Sequence, residues 1–243
     1  MSGRPDTGGR TNLGGQLDFG FKVPPVQLVL DWPWSAPPSR EATVETPALM
    51  PALALVDRWP LWPAPVAALV GPAGSGKSHL ARLWAARAEA YPLAPERLDG
   101  LDPALLGPRP VVIEDVSAAV LGRRPAAVGL FHLINHARGQ GSFVLLTART
   151  DPARWPLALP DLASRLAAAA LVEVPAPDEA TMRTVMARLL AERQMPAGEA
   201  ILDAAVPRLD RSLGACRDLV RRLDRTALAT GRPVTARMVR ELL

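Results

Sequence analysis

Residues 71–78, GPAGSGKS, have the types and spacing of a phosphate-binding loop. They follow the apolar segment 66–70 and precede a segment with helical periodicity, which is the context that the pattern G-x-x-x-x-G-K-[ST] requires. Glycines let backbone N–H groups wrap a polyphosphate, and the start of the next helix favours the same negative charge. The sequence therefore predicts a site for ADP or ATP with Mg²⁺.

Each residue of the loop has a predicted contact with the nucleotide or its metal ion. Lys77 is expected to contact the β- and γ-phosphates, and the Ser78 hydroxyl to bind Mg²⁺. Lys22 and Lys77 are the only lysines in the sequence, and a compact ammonium suits a phosphate in this loop. The other residues predicted to contact the nucleotide are Gly71, Pro72, Ala73, Gly74, Ser75, Gly76 and His79.

A pair of carboxylates closes a second apolar segment, VVIEDV (111–116). Glu114 is predicted to hold the Mg²⁺ shell, and Asp115 to polarise an attacking water. Because Asp115 is shorter than a glutamate at the position of the water, ATP hydrolysis is predicted to be slow. The alternative interpretation is that the strand simply ends in two solvated acids. Thr147, at the end of the apolar segment 142–148, is predicted to lie between the γ-phosphate and the catalytic water.

Composition excludes several classes of protein. Hydrophobic residues make up 49% of the 243 residues, which indicates a globular chain. Cys216 is the single cysteine, so no internal disulfide forms and a reducing, cytoplasmic location is expected. No segment has the length and apolarity of a signal peptide core or a membrane span.

The net charge of +4 does not by itself indicate nucleic-acid binding, because basic and acidic residues are interspersed. The densest basic cluster consists of Arg217, Arg221, Arg222 and Arg225. A solvated helix face explains this cluster better than a phosphate-binding patch, because acids lie between its members.

Apolar segments alternate with helical patterns in the middle of the chain. Strands are predicted at 66–70, 110–114, 142–148 and 170–174, and helices at 46–59, 77–89, 126–139 and 161–168. Such alternation predicts a parallel sheet covered by helices. Only helices follow, near 179–193, 198–208, 212–229 and 235–242. The predicted organisation is an extended arm (1–45), an α/β nucleotide domain (46–175) and a small helical domain (176–243).

Together these segments resemble the AAA+ ATPases, and more narrowly the DnaA-like branch. GPAGSGKSHL and VVIEDV resemble its Walker A and B segments, and residues 130–149 resemble the helix and sensor-1 strand that follow. LPDLASRL (159–166) resembles the box VII segment, which implies an arginine finger at Arg165 acting on a neighbouring protomer. The helices after residue 176 resemble the lid. The resemblance implies a sensor-2 arginine there, assigned to Arg211 with Arg217 as the alternative.

Within that branch, the chain is similar to Hda-type regulatory inactivators of DnaA in their alphaproteobacterial form. The basis is a core and lid with a short arm and no helix-turn-helix pattern, so sequence-specific DNA binding is not expected. The resemblance implies a clamp-binding peptide, and QLVLDW (27–32) supplies Gln27, Leu28 and Leu30. QLDFGF (16–21) is a second candidate for the clamp-binding peptide. The other interpretation of VQLVL (26–30) is a strand packed on the core.

The resemblance implies a nucleotide-bound regulator that joins the sliding clamp to DnaA and stimulates ATP hydrolysis by DnaA, so that re-initiation is prevented. Its own ATPase activity is expected to be weak, a homodimer is left open, and no membrane partner is expected. Three alternatives remain at this stage. They are an AAA+ loader or helper acting on DNA, a DnaA-like initiation factor, and a small-molecule P-loop kinase.

Overall fold

A parallel sheet lies at the centre of the α/β part of the chain. The computed structural model describes residues 38–40, 43–157 and 159–243. The strands are β1 (Val66–Val70), β2 (Tyr91–Pro92), β3 (Val111–Val116), β4 (Val144–Ala148) and β5 (Ala170–Glu173). Their order is β2-β3-β4-β1-β5, and all neighbours are parallel. β1 and β4 are buried at every position, which explains why both segments are continuously apolar.

The four strands predicted from the sequence are therefore present, with small shifts at their ends. The strand β2 was not predicted, because two residues are too few to show a periodicity.

Helices cover the sheet and make up the rest of the chain. They are α1 (Met50–Arg58), α2 (Lys77–Ala88), α3 (Ala118–Leu121), α4 (Arg124–Gly139), α5 (Pro160–Ala167), α6 (Glu179–Ala191), α7 (Glu199–Ala205), α8 (Leu213–Thr230) and α9 (Ala236–Leu242). α4 begins two residues before the prediction because Pro125 occupies its first turn, where a missing N–H costs nothing. The helix predicted at 198–208 ends at Ala205, and a 3₁₀ turn with Pro207 follows.

The buried apolar side chains form separate clusters on either side of residue 175. One cluster joins the sheet to α4 and α5, and its fully buried members include Ile113, Leu130 and Leu146. The other joins α6 to α9 and includes Met186, Cys216 and Leu223. The α/β core and the all-helical segment therefore each have their own buried side chains, while the predicted domain boundary stays a prediction.

No helix in the described part of the chain is both long and apolar enough to cross a bilayer.

Candidate nucleotide site

The loop after β1 is shaped by close backbone approaches that only glycine permits. At Gly71, a Cβ would lie 2.0 Å from the carbonyl oxygen of Val174, just after β5. Gly74 has φ +74, a left-handed conformation that costs other residues energy. The predicted loop is thus held tightly against the carboxyl edge of the sheet, and its backbone occupies space that side chains would fill.

Lys77 lies at the first position of α2 and is buried, with 8% of its surface exposed. Its Nζ donates hydrogen bonds to the carbonyl oxygens of Gly71 and Pro72, both at 2.7 Å. Burial lowers the pKa of the Lys77 ammonium, and the negative charge of Asp115 opposes that shift. Since the acceptors of the ammonium in the described structure are neutral oxygens, the two carbonyls and the Ser75 hydroxyl at 3.5 Å, an anion in the loop would be a stronger partner.

Arg82 of α2 connects the helix of the predicted hydroxyl ligand Ser78 to the predicted acidic ligand Glu114. Ser78 is exposed in the first turn of α2, and Arg82, four residues later, lies on the same face of that helix. Arg82 Nε is 3.6 Å from Glu114 Oε1. A hydroxyl on this helix and a carboxylate near the end of β3 are hard oxygen ligands of the kind Mg²⁺ takes. The assignment of Ser78 and Glu114 to Mg²⁺ stays a prediction.

The end of β3 is bent, and the bend sets the position of Asp115. Pairing between β3 and β4 shifts between Ile113 and Val116, and Asp115 has φ +55. The Asp115 N–H donates to Thr147 Oγ1 at 2.8 Å. Thr147 is 1% exposed, so its hydroxyl accepts one hydrogen bond from the neighbouring strand while its own hydrogen stays available for a donor role. The predicted roles of both residues in hydrolysis stay predictions.

A second charged side chain reaches Asp115, and no sequence pattern singles it out. Arg149, just after β4, has Nε 3.3 Å from Asp115 Oδ1. In sequence it is one more arginine after a strand, in a chain with 26 arginines. The signal appears only when β3 and β4 are known to be adjacent.

A cavity of about 250 Å³ lies beside Gly76 of the loop, between α2 and the C-terminal helices. Its lining includes Gly76, His79, Thr43, Leu189 and Arg217. An apolar pocket of this size, next to a phosphate loop and with a few polar groups, is suited to a planar base. The predicted sensor-2 alternative Arg217 therefore lies at the cavity, whereas Arg211 is exposed outside this lining.

Hydrogen bonding fixes the state of the imidazole in that cavity. His79 Nε2 is 3.0 Å from Thr43 Oγ1, and the Thr43 hydroxyl donates to the Ser39 carbonyl oxygen at 3.0 Å. Because the hydroxyl hydrogen is already used, Nε2 must be the donor. Burial, with repulsion from Arg217, lowers the pKa of His79 from 6.5 to about 4. The ring is therefore neutral at physiological pH, with an unprotonated Nδ1.

The first turn of α8 rests directly on the phosphate loop. The Leu213 N–H donates to the Gly74 carbonyl oxygen at 2.8 Å. Ser212 caps α8, and its Oγ accepts hydrogen bonds from the N–H groups of Gly214 and Ala215. The segment that carries Arg211 is thus in contact with the loop, and both sensor-2 candidates remain open.

Arg165 lies at the other end of β1. It belongs to α5, and its Cζ is 6.0 Å from the centre of the Phe131 ring. Both residues line a cavity of about 500 Å³ that also includes Val66, the first residue of β1, and Arg138. In the described residues, no carboxylate forms an ion pair with Arg165. A five-residue strand spans roughly 17 Å, so Arg165 lies far from the loop that follows its own β1.

Trp59 and Trp62, just after α1, pack against Trp84 of α2. Trp62 stacks on Trp84 with ring centres 5.1 Å apart, and its Nε1 donates to the Leu55 carbonyl oxygen at 2.7 Å. Trp59 meets Trp84 edge-on at 6.4 Å. Neither Trp59 nor Trp62 is in the lining of the cavity beside His79.

The strand order and the loop after β1 describe an α/β fold of the P-loop type. The predicted fold class, an α/β P-loop AAA+ core with a helical lid, is confirmed by the structural comparisons that follow. The DnaA structures are only 14–20% identical to this chain, so the comparisons establish the fold alone.

No protein-family model matches the sequence, and no curated protein matches it. Domain III of the replication initiation protein DnaA from Thermotoga maritima aligns with a TM-score of 0.69 and 20% identity, over 84% of this chain and 94% of that one. AMPPCP-bound DnaA from Aquifex aeolicus aligns with a TM-score of 0.64 and 16% identity, over 75% and 63%. The Holliday-junction branch-migration motor RuvB from Thermotoga maritima aligns with a TM-score of 0.59 and 17% identity, over 79% and 64%.

Proposed function

We propose that this protein is a nucleotide-bound AAA+ regulator of replication initiation, of the Hda type, acting in the cytoplasm. In this proposal it binds the sliding clamp through its arm and stimulates ATP hydrolysis by DnaA, which limits re-initiation. The likeness to DnaA domain III supports the class of partner, because AAA+ cores of one branch can stack on each other. Residues 46–175 would be the nucleotide core and 176–243 the lid.

The observation that carries the proposal is the position of Arg165. The side chain lies at the amino end of β1, roughly 17 Å along that strand from the start of its own loop, and faces a cavity of about 500 Å³. A guanidinium so placed is too far from its own loop to reach a triphosphate there, so in this proposal it acts on the triphosphate of another molecule. An arginine supplied in this way accelerates phosphoryl transfer by roughly 10³–10⁵ because it stabilises the charge on the transferring group.

The chain's own nucleotide would hold the shape that presents Arg165. Lys77 and the loop N–H groups would bind the phosphates, and Ser78 and Glu114 would bind Mg²⁺. The neutral His79 and the cavity beside it would hold the base of ADP or ATP. Asp115 and Thr147 would orient a water for slow hydrolysis by this chain itself.

The clamp contact is proposed on the sequence of the arm. Gln27, Leu28 and Leu30 lie outside the described residues. An extended peptide with this pattern can place its leucines in an apolar groove while polar groups hold the glutamine amide. The other peptide, 16–21, serves as the comparison in the experiment.

The test is ATP hydrolysis by DnaA in the presence of clamp loaded on DNA. We expect the wild-type protein to stimulate ATP hydrolysis by DnaA. Arg165→Ala should reduce that stimulation by at least about 100-fold, because an arginine finger contributes roughly 10³–10⁵ to the rate. Gln27→Ala should lose the stimulation only under conditions in which it depends on the clamp. Arg237→Ala is the matched control, because Arg237 pairs with Glu241 on α9, away from the cavity. Equal stimulation by all four proteins would refute the proposal.

A second candidate is a DnaA-like factor that acts on DNA itself. The likeness to a DnaA structure bound to AMPPCP and single-stranded DNA favours it, with a TM-score of 0.67 and 14% identity over 79% of this chain. DNA-stimulated ATP turnover by the isolated protein, without DnaA or the clamp, would support this second function. The oligomeric state, including a homodimer, follows from the same preparations by sedimentation.

A further inference from the structure

Arg149 lies at the same edge of the sheet as the phosphate loop and presents two nitrogens to one carboxylate. Its Nε is 3.3 Å from Asp115 Oδ1, and its Nη2 is 3.5 Å from Asp115 Oδ2. The two side chains are 65% and 67% exposed. Ion pairs this open to water contribute little to stability, so the guanidinium can change partner at small cost.

A cavity connects Arg149 to the loop. It has a volume of about 700 Å³, and its lining includes Gly71, Pro72, Arg149 and Arg154. Lys77 Nζ donates to the carbonyl oxygens of Gly71 and Pro72, so the ammonium reaches the same stretch of loop that borders the cavity.

Charged groups of both signs line this cavity. Besides Arg149 and Arg154, its lining includes Asp151 and Glu173. Arg154 pairs with Asp151, whereas Arg149 pairs with Asp115 at the end of β3. Arg149 therefore lies at the edge of the sheet where the end of a polyphosphate in the loop would lie.

We propose that Arg149 is a ligand of the terminal phosphate of a nucleoside triphosphate, and that its guanidinium leaves Asp115 to bind it. A planar guanidinium with two aligned N–H groups matches phosphate oxygens better than it matches one exposed carboxylate. A diphosphate lacks the group that Arg149 would bind. Arg149 therefore distinguishes ATP from ADP, and its departure leaves the Asp115 carboxylate free to accept a hydrogen bond from water.

This inference rests on the proposed nucleotide site, and it is independent of DnaA and the clamp. The experiment measures equilibrium dissociation constants of AMPPCP and ADP, each with Mg²⁺, by titration calorimetry on the full chain. We expect Arg149→Ala to weaken AMPPCP binding about tenfold, or about 1.4 kcal/mol, and to change ADP binding less than twofold. Arg149→Lys keeps the charge and loses the fork, so part of the AMPPCP affinity returns.

Arg154→Ala is the matched control. Arg154 lines the same cavity but pairs with Asp151 at 3.5 Å and is 86% exposed, so its loss leaves both dissociation constants unchanged. Equal weakening of AMPPCP and ADP by Arg149→Ala, or no weakening of either, overturns the inference. Lys77→Ala separates the two proposals. If Lys77→Ala also leaves both affinities intact, the nucleotide site itself is wrong.

Discussion

The contact between the phosphate loop and α8 can be tested with one added methyl group. In Gly74→Ala, the new Cβ would lie 1.9 Å from Ser212 Oγ and 2.6 Å from Ser212 Cβ. These distances are well inside van der Waals contact, and Ser212 caps α8, so the loop or the helix start must move.

Two separate costs add in this variant. The left-handed backbone at φ +74 costs an alanine roughly 1–2 kcal/mol, and overpacking costs about 1–3 kcal/mol more. Gly100→Ala provides the matched control, because Gly100 has φ +70 and nothing lies within 4 Å of its added Cβ. The difference between the two variants, about 1–3 kcal/mol in the free energy of unfolding, therefore isolates the clash with Ser212.

The assay is urea unfolding at neutral pH, combined with ADP affinity. We expect Gly74→Ala to lose both stability and ADP affinity, because the Gly74 carbonyl accepts the Leu213 N–H, and Gly100→Ala to keep its affinity. Adding Ser212→Gly removes the colliding atoms at a capping cost of a few tenths of a kcal/mol. The double variant should therefore recover most of the unfolding free energy that the clash removes. Equal losses in Gly74→Ala and Gly100→Ala would refute this account of the loop.

Three further predictions concern buried polar groups. The pKa of His79 is about 4 when folded and 6.5 when exposed, so the unfolded chain gains a proton first as the pH falls. Lowering the pH from 7 to 5 should cost wild type about 2 kcal/mol of unfolding free energy more than His79→Gln. Thr147→Val removes the acceptor of the Asp115 N–H and should cost about 1–3 kcal/mol by urea unfolding, while Thr184→Val, on an exposed helix face, should cost little. Burial raises the pKa of Cys216 to about 11, so a disulfide reagent should react with it at the rate of unfolding, and rapid reaction in native buffer would contradict the structure.

The parts of the fold that the sequence predicts are those encoded by contiguous residues. The loop 71–78 is a complete pattern in one segment, and β1 and β4 are apolar runs because both faces are covered. Glu114 and Asp115 can be selected as candidates because they follow such a run.

The rest of the site depends on contacts between distant segments. Arg149 reaches Asp115 only because the order β2-β3-β4-β1-β5 places β4 beside β3, and a sequence of strands does not give their order. Thr43 falls in the predicted arm, yet it is 6% exposed and its Oγ1 lies 3.0 Å from His79 Nε2. Turns rich in proline and glycine show no periodicity, so their packing is not visible in the pattern.

The distance between Arg165 and the phosphate loop, at opposite ends of β1, gives any assembly built on them a direction. A contact in which the Arg165 end of one molecule meets the loop end of its neighbour, without the reverse contact between the same two molecules, is heterologous and can continue from each new copy. A two-fold pair satisfies both sites only if the two molecules lie antiparallel, with each Arg165 beside the loop of the other. Growth in a heterologous series stops when the rotation closes a ring or at a member that lacks one of the two ends.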